Sequence, residues 1–283
     1  MTDYIKNLDL NNNSVIEDRD VTSVYSIVSL DVDQVDGRIL VTEQENNSVT
    51  IYPQSPALPI YSPIRLNLFS KFGRLSSPSD AKFDYVRRKI WIADTGNNRV
   101  LKVDINSETV DTAINDIIYP HSLAVEVNSG GVFVKAYTDT GKRTGIISYI
   151  GSNGLELLNF KFQNDSEGSS SSSSSSSGLD IVSSSSSSEE AFDLPAVYTM
   201  AYDHVRYRLW WLNENKIYMA DIKNKQVQTY NLGSLYTSAI SVDIDLGTGN
   251  AFVVAQDSHF QEFFILQMSK DNNVILGRGY VPE

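Results

Sequence analysis

The chain has no cysteine, which removes disulfides, thiolate zinc sites and thiol nucleophiles together. Histidine is nearly as scarce, with three in 283 residues, so a centre built from imidazoles has few groups to draw on. Cations are short too: 23 Lys and Arg face 35 Asp and Glu, for a formal charge of −12 and a pI near 4.7. Phosphate backbones and anionic bilayers are bound by clustered Lys and Arg, so neither nucleic acid nor membrane is an expected partner. No window approaches the ~18 uninterrupted apolar residues of a membrane-crossing helix. Met1-Thr2-Asp3-Tyr4 opens with neither a basic region nor an apolar core, which predicts a soluble chain without a signal peptide, in a virion or in cytoplasm. No GxSxG, Walker-type, dinucleotide-binding or HExxH motif occurs.

What the chain does have is aromatic and β-branched residues in short runs, with 15 Tyr, 11 Phe and 3 Trp. The sharpest stretch is Ser79 to Asp104, where strand, turn, strand, tight turn and strand follow directly. Ile90-Trp91-Ile92 reads as a strand buried on both faces, and Val100, Leu101 and Val103 as its partner. Between them, Gly96 can take positive φ and Asn97 tolerates the left-handed region, so the chain reverses in few residues. Five comparable units recur, with inner strands near Ser29–Asp33, Ser79–Phe83, Ser122–Val127, Thr199–Tyr202 and Ile240–Ile244. The spacing of about 40–50 residues, with one longer interval, is a blade period and predicts an all-β propeller of about five or six four-stranded blades over 24–283. Trp91 and Trp210 are expected between blades.

The run Ala93-Asp94-Thr95-Gly96-Asn97-Asn98-Arg99-Val100 resembles the NHL repeat, and Arg208 to Ile222, RLWWLNENKIYMADI, is similar to YWTD blades. Both resemblances imply a propeller; NHL-like rings usually have six blades. With five units visible, closure is open between a five-bladed ring, pairing of the N-terminal segment with a last strand near Asn273–Tyr280, and a chain that is a piece of a longer polypeptide. The favoured expectation is five blades closed by terminal pairing. The polar turn residues Asp94, Asn97, Asn98 and Arg99, with His121 at the start of an inner strand, are the candidate binding residues. Turn chemistry alone explains the first four, since Asp94 can accept from turn amides and pair with Arg99. Arg87-Arg88 and Lys142-Arg143 read as solvated rims.

Two segments stand outside the repeats. Residues 164–190 hold serine tracts around Gly178-Leu179-Asp180-Ile181-Val182 and read as a flexible low-complexity insertion, since serine runs bury no apolar area. Such runs in an Asn- and Asp-rich, cysteine-free chain resemble the composition of phage and environmental virion proteins. Residues 1–23 form a separate N-terminal segment. Within it, Asp9, Asn11, Asn13, Glu17 and Asp20, with the carbonyl of Val15, match the oxygen spacing of a twelve-residue calcium loop. The stretch resembles half of a dockerin repeat, which implies a short loop-helix and weak Ca²⁺ binding. Ser14 stands where that loop takes Gly, and an Asn-rich lead-in is the alternative reading.

NHL-like lyases and lactonases gather metal ligands from several inner strands. Here His121 stands alone at such a position, His204 and His259 fall in turns, and Asp80 is the one inner carboxylate. A metal-dependent hydrolase or lyase is therefore the runner-up. The favoured function is a non-catalytic scaffold or recognition domain that binds a protein or glycan and belongs to a virion or other surface assembly.

Overall fold

In the computed structural model the described residues are 4–9, 14–20, 27–53, 63–69, 71–137, 145–154, 157–162, 177–183, 199–213, 216–232, 236–259, 262–269 and 275–280. Their regular structure is almost entirely strand, in five successive blades of small antiparallel sheets, a β-propeller arrangement. By internal packing the chain divides into two units, residues 1–142 with 150–156 and residues 143–149 with 157–283. No helix among the described residues is long and apolar enough to cross a membrane.

The first unit opens with a hairpin, β1 (Tyr4–Asp9) and β2 (Ser14–Asp20). Blade one is β3 (Ile27–Val32), β4 (Ile39–Glu43), β5 (Ser48–Tyr52) and β6 (Ile64–Leu66). A short hairpin, β7 (Leu68–Phe69) with β8 (Gly73–Arg74), leads to blade two, built of β9 (Asp80–Asp84), β10 (Lys89–Asp94), β11 (Arg99–Asp104) and β12 (Thr109–Asn115). The unit ends in β13 (Ser122–Glu126) paired with β14 (Gly131–Tyr137).

Alternation along each strand sorts side chains between neighbouring blades. Leu40, Ile51 and Leu66 of blade one and Ala81, Phe83, Ile90, Ile92 and Leu101 of blade two form one buried cluster. Trp91 points to the other face, paired across the ladder with Lys82 and Lys102. The Lys102 ammonium lies 4.9 Å from its ring centre and donates to the carbonyls of Gly130 (3.0 Å) and Ser152 (3.2 Å), so Trp91 is enclosed on the side of the third repeat.

The second unit holds β15 (Gly145–Ile150, all but its last residue), β16 (Leu157–Phe162), β17 (Ser177–Ser183) and two blades. Blade four is β18 (Met200–Asp203), β19 (Arg208–Asn213), β20 (Lys216–Asp221) and β21 (Gln226–Asn231); blade five is β22 (Tyr236–Ile244), β23 (Ala251–Asp257), β24 (Phe263–Met268) and β25 (Ile275–Tyr280). Trp210, fully buried, stacks on Tyr230 with ring centres 5.6 Å apart, inside a cluster that joins Met219 of blade four to Val242, Val253 and Leu266 of blade five.

Three expectations need correction. The N-terminal segment is a hairpin and not a loop-helix, with Asp9 opposite Ser14 and Asp20 opposite Tyr4. The N-terminal segment, expected to pair with a last strand, pairs within its own hairpin, β1 with β2, and β25 completes blade five beside β24. The apolar island of the serine tract is strand β17, which pairs with β16 from Leu158↔Ser183 to Phe162↔Leu179 and meets β21 at Ser177↔Val227. Leu179, Ile181 and Val182 have high β-propensity, and an outer strand with unpaired backbone groups offers a ladder to join. The remainder of 164–190 lies outside the described residues.

Candidate functional site

The turn between β10 and β11 holds the densest group of predicted site residues, and all of them are engaged within the fold. Asp94 is fully buried; its carboxylate accepts from the Ser76 amide (2.7 Å), Asn97 Nδ2 (2.9 Å) and Arg99 Nε (2.6 Å). The Arg99 guanidinium also donates to the carbonyls of Phe72 (2.7 Å) and Arg74 (3.2 Å), and Asn97 donates to Arg74 as well. Asn98 takes the left-handed conformation at φ 52, and its side-chain oxygen accepts from the Tyr119 amide. The left-handed residue is therefore Asn98 and not Asn97. Gly96 serves by close approach, since a Cβ there would sit 2.8 Å from the Ser76 carbonyl oxygen. This arrangement is a joint that ties blade two to the segment before it and to the connection after it. Removing one member leaves buried charge or amide without a partner.

A second joint lies on the inner strands. Asp80, the single inner carboxylate expected from the sequence, accepts from Ser29 Oγ (2.5 Å) on β3 and from the Leu123 amide (2.7 Å) on β13. One carboxylate thus links the inner strands of three successive repeats. Beside it, the hydroxyls of Ser79 and Thr95 both donate to the Pro120 carbonyl, and Ser79 Oγ lies 2.9 Å from the His121 carbonyl oxygen. His121 is half-buried and its amide donates to the Lys135 carbonyl. His204 lies in the turn after β18, and His259 follows β23, exposed, with Nδ1 2.9 Å from Ser258 Oγ. Among the described residues no three acidic or imidazole side chains converge as an ion would require.

The basic pair Arg87-Arg88 is not a solvated rim. Arg87 is braced by Asp84 and donates to the carbonyls of Val127 and Asn128, both at 2.7 Å, while Arg88 reaches back to the carboxylates of Asp33 (3.2 Å) and Asp36 (2.9 Å). The second unit repeats the forward half: Arg206, braced by Asp203, donates to Leu246 (3.2 Å) and Gly247 (3.1 Å). The recurring Asp-x-x-Arg spacing was the sequence signal for this clamp. Lys142-Arg143 lies outside the described residues.

Lys135 carried no signal, being a lone cation in an apolar strand. It is fully buried, its ammonium stands 4.6 Å from the Tyr137 ring centre, and desolvation drops its pKa from 10.5 to about 8. Of the calcium-type residues, Asn11 and Asn13 lie outside the described residues. The backbone of β1 and β2 draws Asp9, Val15, Glu17 and Asp20 out along a ladder, with Asp9 at one end and Asp20 at the other.

No family model matches the chain, and no curated protein matches it. Among solved structures, a chain from the crystal structure of the nidogen/laminin complex superposes with a TM-score of 0.65 at 13% identity, over 99% of this chain and 90% of that one. A likeness at this identity shows the propeller fold. With 810 solved chains matching, the fold alone singles out no activity.

Proposed function

We propose that the chain is a non-catalytic recognition propeller that binds a protein partner, as a component of a larger assembly. The observation that carries this reading is how polar and apolar groups are distributed. The acidic residues and arginines of the first turns, among them Asp84, Arg87, Asp203 and Arg206, are engaged in joints, whereas the tips of the same turns present apolar side chains: Val86 is 60% exposed in the first unit and Val205 54% in the second. Exposed apolar groups rimmed by fixed charges suit protein contact better than sugar or nucleic acid. The matched fold, seen in a structure of a protein–protein complex, supports the same class of partner.

The test is a pair of measurements on the full chain. Proteins selected from a displayed library for binding should lose about tenfold in affinity to Val86→Asp or Val205→Asp if these tips form the contact. Selected binders indifferent to both substitutions would contradict the reading. So would turnover of an ester, lactone or amide with added zinc or calcium that His121→Ala abolishes.

A further inference from the structure

The blades are four-stranded sheets, and one strand of the chain is surplus to them. The sheets of blades one, two and five end at β6, β12 and β25, with no further strand beside these among the described residues. Blade four is complete at β21 and the third repeat has its fourth strand in β16, yet β17 continues the ladder from one to the other. Its last five residues, Leu179 to Ser183, pair with β16, and its first two, Ser177 and Gly178, pair with β21. All three strands belong to the second unit. β17 thus fills a slot between two fourth strands without completing a blade, and the slot holds it through backbone ladders.

The connections to β17 are as unusual as its place. An antiparallel neighbour needs a turn of only about two to five residues, and residues 85–88, 204–207 and 222–225 join successive strands with four each. β17 is reached through residues 163–176 and left through residues 184–199, fourteen and sixteen residues. The shorter of these spans up to about 45 Å when extended, wider than a small domain. It reads Gln-Asn-Asp-Ser-Glu-Gly and then eight serines, so it has no apolar side chain with which to fasten β17 to the body of its own chain.

We infer that β17 is an exchange strand, which leaves the slot of its own chain for the β16–β21 slot of a second copy and so links copies reciprocally. The same residue pairs form in either arrangement, so contact energy does not choose between them and concentration does. A linker of this length holds its strand at an effective concentration on the order of 1 mM. In dilute solution each strand therefore stays at home, and where copies are held together at a similar local concentration the strands cross. The inference rests on the assembly reading above and makes a second copy of the chain the partner.

The absence of cysteine permits a direct trap. Lys161 and Asp180 are register partners across β16 and β17, and Cβ atoms of such partners lie about 4.5–5.5 Å apart, close to disulfide range. A full chain carrying Lys161→Cys is mixed with one carrying Asp180→Cys in a glutathione redox buffer. The expected product is a heterodimer linked through these two positions, in about 1% of chains at about 10 µM and in about half at about 1 mM, as the ratio of protein to effective concentration dictates. A chain with Glu108→Cys, at an exposed turn of the first unit, mixed with the Asp180→Cys chain gives the background of random collision. A heterodimer no more abundant than that background would overturn the inference. So would failure of a chain carrying both Lys161→Cys and Asp180→Cys to close the bond within itself in dilute solution, because the register would then be wrong. Selected binders that slow amide exchange along β16 while the chain stays monomeric at about 1 mM would give the slot to another polypeptide and overturn the assignment to a second copy. The cysteine substitutions leave Val86 and Val205 in place, so failure here is separable from failure of the general reading.

Discussion

The Arg87 guanidinium occupies the space a side chain on Gly130 would need, its Nε 2.6 Å from where the Cβ would be, and Arg206 stands in the same relation to Gly249. Two residues in neighbouring repeats thus constrain each other, one by reaching across and the other by lacking a side chain.

Gly130→Ala should destabilise by about 1–3 kcal/mol, from left-handed strain together with the steric conflict. Urea unfolding in a cycle with Arg87→Ala separates the two: once the guanidinium is gone, only the backbone strain remains, and the alanine should cost about 1 kcal/mol. Equal costs in both backgrounds would show that the guanidinium does not press on this site.

Trp91→Ala and Trp210→Ala should each cost about 3–5 kcal/mol, because both rings are fully buried. A loss below about 1 kcal/mol at both would contradict the packing described.

Lys135→Met should raise stability at neutral pH. In the folded chain the amine releases its proton at about 8 and in the unfolded chain at 10.5, so between those values the unfolded chain holds the extra proton and stability rises with pH. Below that window the buried charge costs on the order of 3 kcal/mol, which methionine avoids. Melting curves of both proteins should differ most at pH 7 and converge by about pH 10.5. A methionine variant less stable at pH 7 would show that the contacts of the Lys135 ammonium outweigh its loss of hydration.

Calcium binding by the N-terminal segment is proposed to compete with the β1–β2 hairpin, since a twelve-residue loop needs Asp9 and Asp20 about one ion and the ladder holds them at opposite ends. Calorimetry with millimolar calcium should then show heat that Asp9→Ala removes, together with faster amide exchange along Ser14–Asp20. No heat would leave the segment a hairpin alone.

The repeat pattern was legible because blade strands announce themselves locally: each inner and second strand lies within a few residues of its expected place, and Trp91 and Trp210 follow from apolar runs buried on both faces. The joints were less legible. Asp80 is an ordinary acidic residue until β3 and β13 are brought beside β9, and Lys135 is one cation whose burial depends on the neighbours of β14. Strand β17 was hidden by composition, since seven residues within serine runs carry no period long enough to read against the tract. The Asp-x-x-Arg turns were present in plain view, but only their carbonyl acceptors in the next repeat reveal what the arginines hold.

The central claim is that the polar turn of blade two is a structural joint, and Asp94→Ala tests it most directly by equilibrium unfolding of the full chain. Truncation strands the Arg99 guanidinium, 9% exposed as a residue, together with the Ser76 amide, and should cost about 3–5 kcal/mol, with Arg99→Ala costing a similar amount. A loss below about 1 kcal/mol for Asp94→Ala, accompanied by loss of partner binding or of a catalysed reaction, would make this turn a working site and contradict the account.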